Sequence, residues 1–293
     1  MKWVVLKTKI KNTLKTIPQL VHAVRFIIKV KNSFSSPYGA IDEAELAIFN
    51  AIRNDIEVVF DVGARLNTDY LGNSTGGGAP LVFYLFEPNP SFYKGLCERV
   101  DVISASASPD ARVVVTNSGL GDKAGLFTYY EDVQSFVKDN GFRKSEDGDG
   151  KTFEIRTLDN FCAEQGVGSI DFLKIDVEGL DYQVLLGGSV IIKETVNYCQ
   201  FEFGVGQTAD GSTNTPEKYY QFFGDDFDLY YVRNPRHPIH KEVSHLTELT
   251  ALTGQFRDKI EKHLYAGSGC NILAVRKSHR PPLEFGKLLS RLS

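Results

Sequence analysis

Five short apolar runs in this chain each close on an acid or a small polar residue, with helix-like patterns spaced between them. The runs are Glu57–Val62 (EVVFDV), Leu81–Phe86 (LVFYLF), Arg112–Thr116 (RVVVT), Ile170–Ile175 (IDFLKI) and Tyr198–Phe203 (YCQFEF). They are too short for helices and rich in β-branched and aromatic residues, so they read as buried strands. Asp228–Val232 and Asn271–Val275 add two more, and Leu126–Tyr130 and Phe153–Arg156 read as short extended pieces. Helical patterns fall at Ile41–Ile52, Pro90–Val100, Leu158–Glu164, Leu180–Leu186, Pro216–Phe223 and Leu246–Leu264. Alternating strands and helices predict an α/β fold with a mainly parallel, seven-stranded sheet covered on both faces. Ligands of such sheets bind beyond the carboxyl ends of the strands, where the strand order reverses. The residues at those ends are Asp61-Val62-Gly63-Ala64, Glu87-Pro88-Asn89, Asn117-Ser118, Asp176-Val177-Glu178-Gly179 and Glu202.

A glycine directly after a buried strand lets backbone approach a ligand closely. An acid at the end of the next strand can accept both hydroxyls of a ribose. Gly63 and Glu87 therefore predict a nucleoside-bearing cofactor. The stretch Gly63–Thr68 (GARLNT) lacks the second and third glycines of a dinucleotide fingerprint, and GxxxxGK[ST] is absent. NAD, FAD and phosphate-cradling loops are thus disfavoured, and a nucleoside without phosphates, S-adenosylmethionine being the common one, fits better.

The segments VVFDVGA (Val58–Ala64), LFEPNP (Leu85–Pro90), NSGLGDKAG (Asn117–Gly125), RTLDNF (Arg156–Phe161) and IDFLKIDVEGLDYQVLLGG (Ile170–Gly188), in that order, resemble the FkbM family of S-adenosylmethionine-dependent O-methyltransferases. The resemblance spans roughly Val58 to Phe203 and implies a Rossmann-like class I methyltransferase fold. It further implies that Gly63 and Ala64 turn beneath the methionine part of the cofactor, with Asp61 orienting it. Glu87 would take the ribose diol with Pro88 and Asn89 beside it, Asn117 and Ser118 would line the adenine edge, and Asp176 would sit beside the transferred methyl. The family usually continues its first motif as GAN-x-G into an apolar helix, whereas this chain reads GARLNTDYLGNSTGGGAP. The first helix is therefore expected to be short or replaced by a loop. Arg65 then becomes a candidate for the methionine carboxylate, with a plain surface residue as the equal alternative.

Alcohols are poor nucleophiles, so methyl transfer to a hydroxyl calls for a positioned base. Asp176, Glu178 and Glu202 are the candidate catalytic residues, and His237, His240 and His245 lie in a loop that could also reach the site. A divalent metal is left open but not predicted, because no decisive ligand pattern is present. The resemblance favours a small-molecule or glycan acceptor, a sugar or polyketide-like hydroxyl. The rival reading is a non-catalytic binding or scaffold protein that keeps the fold.

Charge is unevenly placed. Met1–Ile41 holds eight Lys or Arg and no acid, so with a total of −4 the remainder carries −12. That balance excludes a generally basic nucleic-acid-coating protein. Residues 1–36 read as a basic amphipathic helical extension, 37–280 as the methyltransferase domain and 281–293 as a tail. The extension either packs on the main domain or makes peripheral contact with an anionic membrane through residues 1–31. No apolar run of ~18 residues exists, and the four cysteines form no CxxC pair. A cytoplasmic protein, membrane-associated under the second reading, is the expectation.

Overall fold

The computed structural model describes residues 43–74, 81–106, 111–129, 151–177, 179–204, 206–207, 213–243 and 246–289. All belong to one compact unit, Ile41–Ser293. The basic extension and its boundary at residue 36 lie outside the described residues, as do Glu178 and His245.

The chain runs through α1 (Glu43–Ile52), β1 (Val58–Val62), α2 (Asp69–Gly72), β2 (Val82–Phe86), α3 (Pro90–Ser106) and β3 (Arg112–Thr116). It continues through β4 (Gly119–Leu120), β5 (Gly125–Tyr129), β6 (Lys151–Arg156), α4 (Leu158–Gln165), β7 (Phe172–Ile175), α5 (Asp181–Gly187), α6 (Ser189–Thr195) and β8 (Tyr198–Phe203). The last part holds β9 (Gly206–Gln207), β10 (Thr213–Asn214), α7 (Pro216–Phe223), β11 (Phe227–Val232), β12 (Leu249–Ala251), α8 (Gly254–Tyr265), β13 (Cys270–Arg276) and α9 (Leu283–Gly286).

The main sheet has the order β12-β11-β13-β8-β7-β1-β2-β3. Strands β3, β2, β1, β7 and β8 are parallel, and β13 runs antiparallel between β8 and β11. The seven expected strands are all present, and β12, only three residues long, adds an eighth at the edge. From β1 the chain moves outward to β2 and β3, then returns to place β7 on the other side of β1. The order therefore reverses between β1 and β7, and the crevice beyond their carboxyl ends is where such a sheet binds ligands.

Alternation along the strands builds two cores. Phe60, Val62, Tyr84 and Phe86 face a layer holding Phe161, Val184, Leu185, Tyr219 and Phe223. Val59, Phe83, Leu85 and Phe172 face Ile48, Phe49 and Ile52 of α1 and Leu96, Val100 and Ile103 of α3. Because both faces are buried, the strands read as continuous apolar runs. α3 extends to Ser106, six residues beyond the predicted end, because burying Leu96, Val100 and Ile103 outweighs the weak helix propensity of its β-branched residues. The predicted helix Leu246–Leu264 is corrected to β12 followed by α8, since Leu249–Ala251 pairs with Tyr230–Val232. In the segment read as a tail, Phe285 is buried and its ring lies 5.9 Å from that of Tyr198. Among the described residues no helix is long and apolar enough to cross a membrane.

The RTLDNF and GG motifs have local physical reasons. Thr157 caps α4 by accepting from the Asn160 amide at 3.3 Å, and Gly166, at φ +66°, ends it. Asp159 then accepts from the amides of Val190 and Ile191 (3.1 and 2.9 Å) and so caps α6. Gly187 lies against the β4 turn, where an added Cβ would stand 1.9 Å from the Gly121 carbonyl oxygen. Gly187→Ala is expected to cost about 1–3 kcal/mol through overpacking. Chemical denaturation measures this, and an unchanged midpoint would contradict the contact.

Candidate functional site

β1 ends at Val62 in a tight turn. Gly63 adopts φ +86°, and the amides of Gly63 and Ala64 both donate to the Phe86 carbonyl at 3.0 Å. The Asn67 amide closes the turn on the Ala64 carbonyl at 2.7 Å. A Cβ on Gly63 would fall 2.0 Å from the carbonyl oxygen of Asp176, so the two strand ends touch through backbone. Arg65 is also left-handed, at φ +50°, which turns its amide onto Glu87 Oε2 at 2.9 Å. Its guanidinium sits over the Phe92 ring, 5.3 Å from the centroid.

Glu87 is buried at the end of β2. Its Oε1 accepts from the Asn89 amide at 2.7 Å, so each carboxylate oxygen is held by one backbone donor from a different turn. Burial pushes the Glu87 carboxyl upward, and the amides of Asn89 and Arg65 oppose that rise by favouring the ionised form. Asn117 Nδ2 donates to the Glu87 and Pro88 carbonyls at 2.9 and 3.0 Å and so ties the β3 end to the β2 end. Ser118 beside it is buried with no hydrogen-bond partner for its Oγ.

On the other side of the crevice, Lys174 stands in the middle of β7 at 6% exposure. Its Nζ lies 3.1 Å from Asp176 Oδ2 and 3.8 Å from Asp61 Oδ1. Asp61 is nearly inaccessible, whereas the Asp176 side chain is 51% exposed. Burial raises the Asp61 carboxyl, with Lys174 pulling it back and Asp176 adding to the rise. For Lys174, burial works against the ammonium, but Asp176 and Asp61 outweigh it and hold the group well above its ordinary value. Asp181 at the start of α5 accepts from the Glu202 amide at 3.1 Å, and burial followed by the charges of Asp176 and Glu202 drives its carboxyl well upward.

The predicted residues Asp61, Gly63, Ala64, Arg65, Glu87, Pro88, Asn89, Asn117, Ser118 and Asp176 thus line consecutive strand ends β3-β2-β1-β7, and Glu202 follows on β8. Of the candidate histidines within the described residues, His237 and His240 do not join them. His237 caps a turn through Nδ1, which accepts from Ile239, and packs against Tyr231 and His263 on the β11–α8 side. His240 lies against the same tyrosine. Among the described residues no group of three His, Cys, Asp or Glu could hold a metal ion. Sequence reasoning missed Lys174 and Asp181. The signal for Lys174 was a lysine inside the apolar run IDFLKI, where burial demands a partner.

Residues 61–260 match the family model described as methyltransferase FkbM domain. No curated protein matches the sequence. Among solved structures, a methyltransferase FkbM from Methylobacillus flagellatus KT is similar at 13% identity and a TM-score of 0.43, covering 75% of this chain and 44% of its own. This chain thus spans less than half of that protein. An O-methyltransferase from Bacillus cereus, solved in complex with SAH, is similar at 10% identity and a TM-score of 0.43, covering 86% of this chain and 91% of its own.

Proposed function

Because the chain belongs to the FkbM methyltransferase family, we propose that it is an S-adenosylmethionine-dependent O-methyltransferase acting on a hydroxyl of a sugar, glycan or natural product. The observation that carries the cofactor reading is the state of Glu87. A carboxylate offers about four lone-pair sites, and the amides of Arg65 and Asn89 occupy one on each oxygen. One site per oxygen remains, which suits a pair of neighbouring ribose hydroxyls. The unpartnered Ser118 Oγ, buried just beyond β3, fits a nucleoside lying along the same strand ends.

In this reading Gly63, Ala64, Glu87, Asn89, Asn117 and Ser118 hold the cofactor, with Asp61 behind the turn and Arg65 fixed at its edge. S-Adenosylmethionine, when bound, supplies an electrophilic methyl group on a sulfonium. The chain's own task is to orient a hydroxyl and receive its proton. Asp176 is the candidate base with an accessible carboxylate already fixed by Lys174 at 3.1 Å, and a base so positioned contributes roughly 10²–10⁴-fold. Glu202 is a second acid beside it. The acceptor is tested by mass spectrometry of glycans and metabolites from cells with and without the gene. The expected result is a species heavier by one CH₂ that disappears with the gene. Unchanged spectra alongside intact cofactor binding would favour the non-catalytic scaffold.

A further inference from the structure

We propose that Lys174 sets the charge selectivity of the site: its one ammonium, shared by Asp61 and Asp176, holds these carboxylates to a single net negative charge and limits how far a cationic ligand is preferred over a neutral one. The inference rests on the cofactor reading above, since S-adenosylmethionine carries a sulfonium and its product S-adenosylhomocysteine a neutral thioether. It gives Lys174 a role in specificity beyond that of a structural strut.

The placement argues for it. β7 is buried along its whole length, so a charged residue at position 174 carries a desolvation cost. A buried lysine is tolerated only when its charge is answered. Asp61 and Lys174 are direct register partners on β1 and β7, so their side chains share one face of the sheet. Asp176, two residues further on, shares that face and reaches solvent. The other groups facing the ammonium are Glu45 from α1 and Tyr70 from α2, while Asp69 of α2 faces Asp61. Glu45 accepts from Asn271 Nδ2, and Asp61 Oδ1 has no hydrogen bond. Lys174 is thus the shared counter-charge of an acid at the ligand crevice and an acid beneath it.

The test is calorimetry of S-adenosylmethionine and S-adenosylhomocysteine with the full chain, reading the preference for the first over the second relative to wild type at the same pH. Lys174→Met should raise that preference about fivefold, because the crevice then loses the positive charge that answers its carboxylates. Lys174→Met combined with Asp61→Asn restores the net charge and should return the preference to within about twofold of wild type. Equal weakening of both ligands in Lys174→Met, with the preference unmoved, would make Lys174 a strut and overturn the proposal. If circular dichroism shows that Lys174→Met does not fold, Asp61→Asn alone decides. It removes one negative charge and should lower the preference about threefold, and no change would overturn the proposal. A wild-type chain that binds neither ligand would overturn the cofactor reading, and this inference with it. Binding with unmoved preferences would overturn this inference alone.

Discussion

Glu87→Ala is expected to weaken S-adenosylmethionine binding by about 2–4 kcal/mol, roughly a 30- to 1,000-fold rise in Kd. Two charge-assisted hydrogen bonds to the ribose, worth about 1.5–3 kcal/mol each, would be lost with partial compensation by water. The substitution also strips the amides of Arg65 and Asn89 of their acceptor, so the two turns beside the ligand lose their common anchor. Glu87→Gln keeps the volume and one acceptor oxygen but loses the charge, and should fall between the two. Calorimetry on folded variants measures both. Wild-type affinity in Glu87→Ala would mean that Glu87 does not bind the ribose.

Gly63→Ala should cost about 2–6 kcal/mol of stability, from backbone strain of about 1–3 and overpacking of a similar size. The strain arises because φ +86° is a conformation that a side-chain-bearing residue rarely adopts. The overpacking arises because the new methyl would stand 2.0 Å from the Asp176 carbonyl oxygen and 2.9 Å from its carbon. Both atoms are backbone of a paired central strand end, so relief requires β1 and β7 to separate. Against a typical total of about 5–15 kcal/mol, this is enough to leave a large part of the chain unfolded on mild heating. Urea denaturation gives the value. A change below about 0.5 kcal/mol would show that the two strand ends are further apart than described.

The sheet was legible because its strands are buried on both faces and so appear as unbroken apolar runs. β3, β8 and α7 fall where the pattern places them, residue for residue. The candidate site was read from the ends of the same runs, since acids at buried strand ends have little structural cause to recur. The short α2 likewise follows from the polar, glycine-rich stretch after Ala64. What the sequence hid depends on contacts made at a distance. α6 was missed because Gly187-Gly188 reads as a stop, whereas Gly187 fits against the β4 turn, Gly188 fits against Leu158 of α4, and Asp159, some thirty residues earlier, supplies the cap. β12 was read as helix because its only strand signal is a partner on β11. Lys174 stood in plain view within IDFLKI, but its meaning needs Asp61 opposite it, and that register exists only in the folded sheet. His237 and His240 were named by loop position alone, and their packing against Tyr231 sets them on the β11 side of the sheet.

The central claim is that the ends of β1, β2 and β7 form one pocket for a sulfonium nucleoside. Titration of the purified full chain with S-adenosylmethionine in a calorimeter tests it most directly. The account predicts saturable one-to-one binding that S-adenosylhomocysteine competes away and Glu87→Ala weakens. No heat of binding at millimolar cofactor from a folded chain would contradict it.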